Sequence, residues 1–474
     1  WQHAALDLIF RALKLVVYDA KTKSNLRDDV NIKASLVLGD LLEQAPPRPG
    51  TFLRLAAAPG SRGPAWSVLA LPSRRRLAVG RWPGQLGLRE ALAPVAPRPV
   101  RCHGRRLPFV GGWVGLLGYE ARSGVERSPA VRPSPLGFPA LWLGWSEAAV
   151  LVEHATGQAF LAALGRDLAA ARRRLGRLAR WVERAAAAPA RARDAGTARA
   201  RPRMAASRYR RLVGRVRAHV RAGDIFQANL SQRFDAQGVG APHALFRRLV
   251  AQQPAPYMTF LRLPGGRCVL SASPERFLAL QGRRATTEPM KGTRPRGRTP
   301  REDRALVRDL RASEKDRAEL AMIVDLSRND LARACRPGSV RVTQPRLLLP
   351  FARVHQAIGV VQGELARGRT RVDLLAACFP PGSVTGAPKV RAMEVIDALE
   401  GEGRGPYCGA LGWLDAGGDM DLAVAIRTLL VAGRRASYRV GGGITLRSQP
   451  AAEWRETLAK GRGLEAALSG RARP

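Results

Sequence analysis

Short apolar runs and amphipathic stretches occupy separate blocks of this chain, and that grouping constrains its fold more than any other feature. From Thr51 onward, FLRLAAA, AWSVLAL and RRLAVG alternate with turns and read as strands of an antiparallel sheet. PFVGGWVGLLGYE (108–120) is a strand punctuated by Gly, which lets another backbone or a ligand come close. LGWSEAAVLVEH and GQAFLAAL suggest a hairpin, and 165–187 has Leu at helical spacing amid Arg. The aperiodic APARARDAGTARARP that follows reads as a linker. Beyond it the spacing predicts helices at 207–222 and 243–252, one or two helices across 305–334, and helices near 372–377, 389–399 and 452–468. Strands are expected in GDIFQANLSQRFDA, YMTFLRL, RCVLSAS, VRVT, VHQAIGVVQGEL, CGALGWLD, DLAVAIRTLLVAG and SYRVGGGIT. Strands and helices segregate without the βαβ alternation of a doubly wound sheet, so the expected class is α+β. The blocks divide into an atypical segment at 1–44, whose Lys and Asn the body avoids, a unit at 45–195 and a second at 205–470.

The length of 474 residues allows one large core or several smaller ones. Hydrophobic content of 46% and charged content of 25% are those of a globular protein. No run of about 18 apolar residues offers a membrane span, and the N-terminal WQHAALDLIFRALKLVVYDAKTK lacks the order of a secretory signal. The five cysteines, Cys102, Cys268, Cys335, Cys378 and Cys408, are scattered and never in CxxC spacing. Reduced thiols in a cytoplasm are expected, with neither a zinc site nor a disulfide framework. A net charge of +41 invites nucleic-acid binding. Yet the Arg residues run along the whole chain, aromatics make up only 6%, and no RNA-binding signature, zinc finger or helix-turn-helix accompanies them. An Arg- and Ala-rich coding bias accounts for the same numbers; the charge draws anions without naming a function.

Against 71 Arg the chain keeps 8 Lys, four of them before residue 34. Where such a chain retains Lys in a stretch bounded by Gly and Pro, as at Lys291, the reason can be chemical: an amine loses its proton and attacks carbon, whereas a guanidinium does not. A solvated loop lysine is the plain alternative. Two carboxylate pairs, Asp316 with Glu319 and Glu453 with Glu456, each stand three residues apart and share a helix face. Two such faces turned to one point would suit Mg²⁺, which takes one or two protein carboxylates and leaves its other positions to water and an anionic substrate; otherwise they are solvated faces. Lys291-Gly292-Thr293, PPGSVTGAPK and Gly441-Gly442-Gly443 are Gly-containing stretches suited to lie against a small anion, without P-loop spacing. GSVTGAPK, directly before a helix, would aim backbone N–H groups and Thr385 at a carboxylate. Arg427 and Lys460 are candidate cationic partners or members of structural ion pairs. His355 lies on an apolar strand, as a core histidine or a site residue.

SPERF, PMKGTRPR, DRAELAMIVDLSRNDLAR, VHQAIGVVQGEL, FPPGSVTGAPKVRAMEVIDALE, YCGALGW, AIRT, GGGIT and AEWRETLAKGRGL occur in that order. Together they resemble the chorismate-utilising enzymes: anthranilate synthase component I, aminodeoxychorismate synthase component I, isochorismate synthase and salicylate synthase. The resemblance is strong over about 205–464 and weak over about 51–154. It implies large antiparallel sheets packed as a sandwich with helices on the outer faces. It further implies Mg²⁺ on Glu319 and Glu456, with Asp316 and Glu453 in support. Thr385, Tyr407, Arg427, Gly443 and Lys460 match positions that hold the carboxylates of chorismate, and His355 matches an active-site histidine. Gln227 stands where isochorismate- and salicylate-forming members carry a water-activating lysine, which points to an ammonia user.

PMKGT resembles aminodeoxychorismate synthase, since anthranilate synthases typically have a small residue before the GT. Lys291 is then the implied nucleophile, flanked by Gly292 and Thr293, and Glu275 the implied general acid/base that assists the leaving group. Glu288 departs from the Arg common in the family, either favouring protonated Lys291 or pairing with one of the arginines. The family's tryptophan-binding segment is not matched at 45–60. No amidotransferase nucleophile elbow is visible, so free ammonia or a separate glutamine amidotransferase subunit is expected. Anthranilate synthase component I is the alternative within the family; a basic nucleic-acid-binding protein or an inactive homologue is the alternative outside it.

Overall fold

The computed structural model describes residues 13–470 except 20–24, 30–37, 46–48, 56–65, 80–84, 95–99, 103–104, 127–131, 157, 189–193 and 352. One hydrogen-bonded path of antiparallel strands runs through most of it. Gly112–Leu117 pairs with Leu141–Glu153 on one side and Ala410–Asp415 on the other. From Leu141–Glu153 the path continues through Trp66–Val79, Phe52–Leu55, Tyr257–Arg262, Arg267–Ser273, Thr428–Ala432 and Arg435–Ile444 to Gln227–Gln237. From Ala410–Asp415 it continues through Met420–Val424, Arg276–Gln281 and Arg284–Thr287 to Val354–Glu364. Strands from before and after residue 200 thus pair directly. Leu13–Asp19, in the compositionally odd N-terminal segment, adds in parallel to Gln158–Gly165.

Period-two alternation decides what each strand buries. Phe52, Val68 and Val269 point into a core shared with Leu278, Leu411 and Leu422 of the other layer. Their neighbours Leu53, Leu69 and Leu270 point outward into a second core. That core is roofed by Leu175 and Leu178 of helix Leu168–Ala187, Leu245 and Leu249 of Pro242–Gln252, and Leu464 and Leu468 of Pro450–Ser469. The arrangement is the expected α+β one: sheet layers face to face, helices outside. Arg54, fully buried, spans the inner core by donating from Nη2 to the Leu411 carbonyl at 2.6 Å.

Three local expectations change. DLAVAIRTLLVAG is two strands, Met420–Val424 and Thr428–Ala432, broken where Arg427 adopts φ 52°. The neighbouring strand breaks at the same level, between Arg267–Ser273 and Arg276–Gln281. The two kinks lock together: Val424 N–H donates to Glu275 O at 3.0 Å and Ala272 N–H to Arg427 O at 2.9 Å. Both strands cross there from one layer to the other, a corner that alternation alone does not reveal. Lys291 is not in a loop but on strand Met290–Pro295, beside a bulge at which Lys291 faces Ala357 and Thr293 faces Gln356. Gly292, at φ 83°, is the extra residue, and bulges re-aim side chains. Within the expected linker, 189–193 lies outside the described residues; Ala195 and Ala198 are buried, and Ala198 N–H donates to Leu468 O at 2.9 Å.

The 305–334 stretch is two helices, Pro300–Ala312 and Glu314–Ala332. Ser313 separates them, its hydroxyl accepting from the Asp316 N–H at 3.2 Å. That cap starts the second helix in the register that brings Glu319 toward the sheet.

Candidate active site

Lys291 and Glu275 form the centre of the site. Glu275 stands at the double corner, buried, on the carboxyl side of the strand break. Burial pushes its carboxyl up to about 7, against the pull of a Ser383 hydroxyl hydrogen bond, the Lys291 charge and a hydrogen bond from the Met290 N–H. Lys291 is held below the ordinary lysine value, first by burial and then by Lys460, although Glu319, Glu275 and Glu456 all oppose the shift. The lysine that the composition singled out therefore sits among carboxylates from three separate elements. Desolvation shifts its amine toward the neutral form, the form a nucleophile requires.

The carboxylates arrive on two helices. Glu319 comes from Glu314–Ala332, and Glu453 and Glu456 come from the first two turns of Pro450–Ser469. Burial raises Glu319, and the charges of Asp316 and Glu456 raise it further. Burial also raises Glu453, which Ser448 hydrogen bonds. Burial alone would raise Glu456 too, but the Lys460 ammonium, 2.6 Å away, brings it below its ordinary value. Lys460 Nζ also donates to Gly441 O at 2.8 Å, tying the helix to strand Arg435–Ile444. Gly442 permits that approach: a Cβ there would lie 3.1 Å from Glu453 Oε2 and 3.5 Å from Glu456 Oε1.

Among the described residues, no three His, Cys, Asp or Glu side chains form a ready-made metal cage. Mg²⁺ needs only one or two protein carboxylates. Glu319 and Glu456, which crowd each other electrostatically across the cluster, supply that number and type. Asp316 pairs its carboxylate with Arg294 at 3.1 Å and packs under Gly292, and its charge reaches Glu319 from there.

A lysine with its pKa lowered by burial, a buried carboxyl group and a two-helix carboxylate cluster behind a Gly-rich strand are now in one place. The profile of the chorismate binding enzymes matches residues 85–465. This chain belongs to the chorismate-binding enzymes. It is 42% identical to anthranilate synthase component 1 of Streptomyces coelicolor over 399 residues, covering 80% of this chain and 76% of that protein. It is 40% identical to aminodeoxychorismate synthase component 1 of Klebsiella aerogenes over 354 residues, covering 75% and 76%. The crystal structure of anthranilate synthase component I from Streptococcus pneumoniae superposes with a TM-score of 0.75 at 31% identity, covering 87% of this chain and 93% of that one. The menaquinone-specific isochorismate synthase from Escherichia coli, at 17% identity and TM-score 0.70, shares the fold.

In this chorismate-binding enzyme the other expected residues fall in different places. Gly443 lies directly beneath Gln227: a Cβ there would come within 2.6 Å of Gln227 Nε2. Gln227 is fully buried, and neither its Nε2 nor its Oε1 has a hydrogen-bond partner among the described residues. Arg427, at the corner, donates from Nη1 to the Lys460 carbonyl. Thr385 is buried with its hydroxyl given to Pro381 O at 3.1 Å and Gly382 O at 3.2 Å, so it shapes its loop. Tyr407 is buried under Arg404, whose guanidinium lies 5.8 Å from the ring centroid. Thr293 receives a hydrogen bond from Gln356 at 3.3 Å. His355 meets Asp303 at 2.8 Å, and the same carboxylate binds Arg296 at 2.9 Å; its hydrogen-bond partner is thus outside the lysine–carboxylate cluster. Glu288 is paired with Arg276 at 2.9 Å, which resolves its two readings toward an ion pair with an arginine.

Sequence reasoning assigned no role to Lys315, Lys389, Asp330 or Ser383. Lys389 makes a buried ion pair with Asp330 at 2.7 Å. Asp330 and Ser383 line a small cavity behind Glu275. The signal that finds the lysines is the scarcity that found Lys291: the four beyond residue 34 are Lys291, Lys315, Lys389 and Lys460. All four belong to the site or to the wall behind it.

Proposed function

We propose that this chain converts chorismate and ammonia to 4-amino-4-deoxychorismate and water, through a covalent adduct on Lys291. The observation that carries this reading is a lysine amine, lowered in pKa by burial, beside a carboxyl that stays protonated to about pH 7. In the proposed sequence the neutral Lys291 amine adds at C2 of the ring as the C4 hydroxyl departs, and Glu275 gives that oxygen its proton so that it leaves as water. Ammonia then adds at C4 and the lysine is expelled from C2. Glu275 regains a proton from the nitrogens as they shed theirs, so the cycle closes.

Lys460 and Arg427 would bind substrate carboxylate, and Gly443 would let the substrate lie close to the strand. Glu319 and Glu456 would hold Mg²⁺, with Glu453 in support; when bound, that ion masks negative charge on the substrate. Ammonia would come from a glutamine amidotransferase subunit, in keeping with the component 1 naming of the relatives.

The rival product is anthranilate, because relatives of similar identity are named for each activity. Lys291 favours aminodeoxychorismate. Incubation with chorismate, Mg²⁺ and ammonium salt decides: the expected product is aminodeoxychorismate, and fluorescent anthranilate in its place would sink the proposal. Lys291→Ala is expected to lose product formation by about 10²-fold or more while remaining folded.

A further inference from the structure

The carboxylate cluster already contains a loosely held cation. Lys315 stands one turn before Glu319 on the same helix, with its Nζ 3.8 Å from Glu319 Oε1. Its charge also lowers the proton affinity of Glu453 and Glu456 on the C-terminal helix. One ammonium therefore lies within electrostatic reach of three carboxylates from two helices. Lys460, the other cation of the cluster, is fixed from two sides, by Glu456 at 2.6 Å and by the Gly441 carbonyl at 2.8 Å. Lys315 is held differently. Its side chain is 54% exposed, and 3.8 Å is too long for a hydrogen bond. Its path to solvent is open.

Residue choice points the same way. A chain with 71 Arg keeps Lys at position 315. An Arg there would grip carboxylates with a two-pronged fork, whereas an ammonium on a flexible stem is a single charge that detaches without breaking a paired geometry.

We propose that Lys315 is a built-in counter-cation, occupying the face of Glu319 and Glu456 that Mg²⁺ takes and swinging out to solvent as the metal binds. The inference rests on the reading of those two residues as metal ligands. It makes metal affinity the outcome of a competition, weaker than the carboxylates alone would give, and it keeps the cluster from repelling itself when no metal is bound.

Mn²⁺ serves as the probe, with free ion followed by electron paramagnetic resonance in the whole chain without substrate. Lys315→Met is expected to bind Mn²⁺ about fivefold more tightly than the unsubstituted chain, the scale of one exposed ion pair. Lys315→Arg is expected to bind it more weakly. Without metal, Lys315→Met should melt at a lower temperature, and Mg²⁺ should raise its melting point by more than it raises that of the unsubstituted chain. Equal or weaker Mn²⁺ binding by Lys315→Met, with normal binding by the unsubstituted chain, overturns the counter-cation and leaves the ligand reading standing. If the unsubstituted chain binds no Mn²⁺, the ligand reading fails and the counter-cation with it.

Discussion

Lys291 and Glu275 need opposite protonation states for the proposed reaction, and the structure moves both toward neutrality. Glu275 is useful while protonated, a fraction that falls as pH rises through about 7. Lys291 is useful while neutral, a fraction that grows as pH rises toward its lowered value. Measured at constant free ammonia, kcat/KM for chorismate should therefore trace a bell whose acid limb comes from protonation of Lys291 and whose alkaline limb comes from loss of the Glu275 proton. Glu275→Gln should flatten that limb and cost about 10²- to 10⁴-fold in rate. A limb that stays in place would remove Glu275 as the acid. Glu288 acts elsewhere: it is committed to Arg276, which also reaches Asp421 at 3.4 Å. Glu288→Ala should lower stability by about 1–3 kcal/mol, as a broken partly buried charged pair does, and leave the acid limb of the bell unmoved. Thermal unfolding and the same pH profile check both halves of that statement.

At the scale of elements, a buried ion-pair network ties the segment 401–407, which holds Tyr407, to helix Lys389–Glu400 and to the sheet. Glu400, buried, takes Arg404 at 2.7 Å and Arg439 at 2.8 Å, and also accepts from the Ser231 hydroxyl at 2.8 Å. Burial opposes its ionisation, but the two guanidiniums overcome that and hold its carboxyl below the ordinary value. Glu400→Ala would take the carboxylate from buried Arg404 and leave buried Arg439 with Glu402 alone, and should cost about 3–5 kcal/mol. Because the folded-state value is depressed, this contribution is whole above the unfolded value near about 4.3 and fades as pH falls through the folded one. Urea melts at pH 7 and at lower pH should show the gap between parent and variant closing on the acid side. This network holds Arg404 over the Tyr407 ring, and it left no pattern in the sequence: its members are scattered from Ser231 to Arg439.

At the scale of the whole molecule, the pairing path joins strands from both ends of the chain, so the site is assembled from segments more than 200 residues apart, from Gln227 to Lys460. None of the described helices is long and apolar enough to cross a membrane. The net charge of +41 favours anionic small molecules without selecting one. If ammonia arrives from a partner subunit, the purified chain alone should form product with ammonium salt and none with glutamine, and adding a glutamine amidotransferase subunit should restore glutamine use. Product from glutamine by the chain alone would contradict the two-component reading.

The sequence by itself determined the α+β class, because segregated periodicities leave few ways to bury every apolar face. It also marked candidate site residues, because ordered motifs and a shortage of lysine single them out one position at a time. The tertiary structure alone decided which of them meet. Bulge and corner geometry depend on long-range pairing, so the aim of Lys291 past Gly292 and the left-handed kink at Arg427 are invisible to local periodicity. Ion-pair partners depend on the same distant contacts. Only the folded chain gives Glu288 to Arg276, His355 to Asp303, and Lys315 to the face of Glu319.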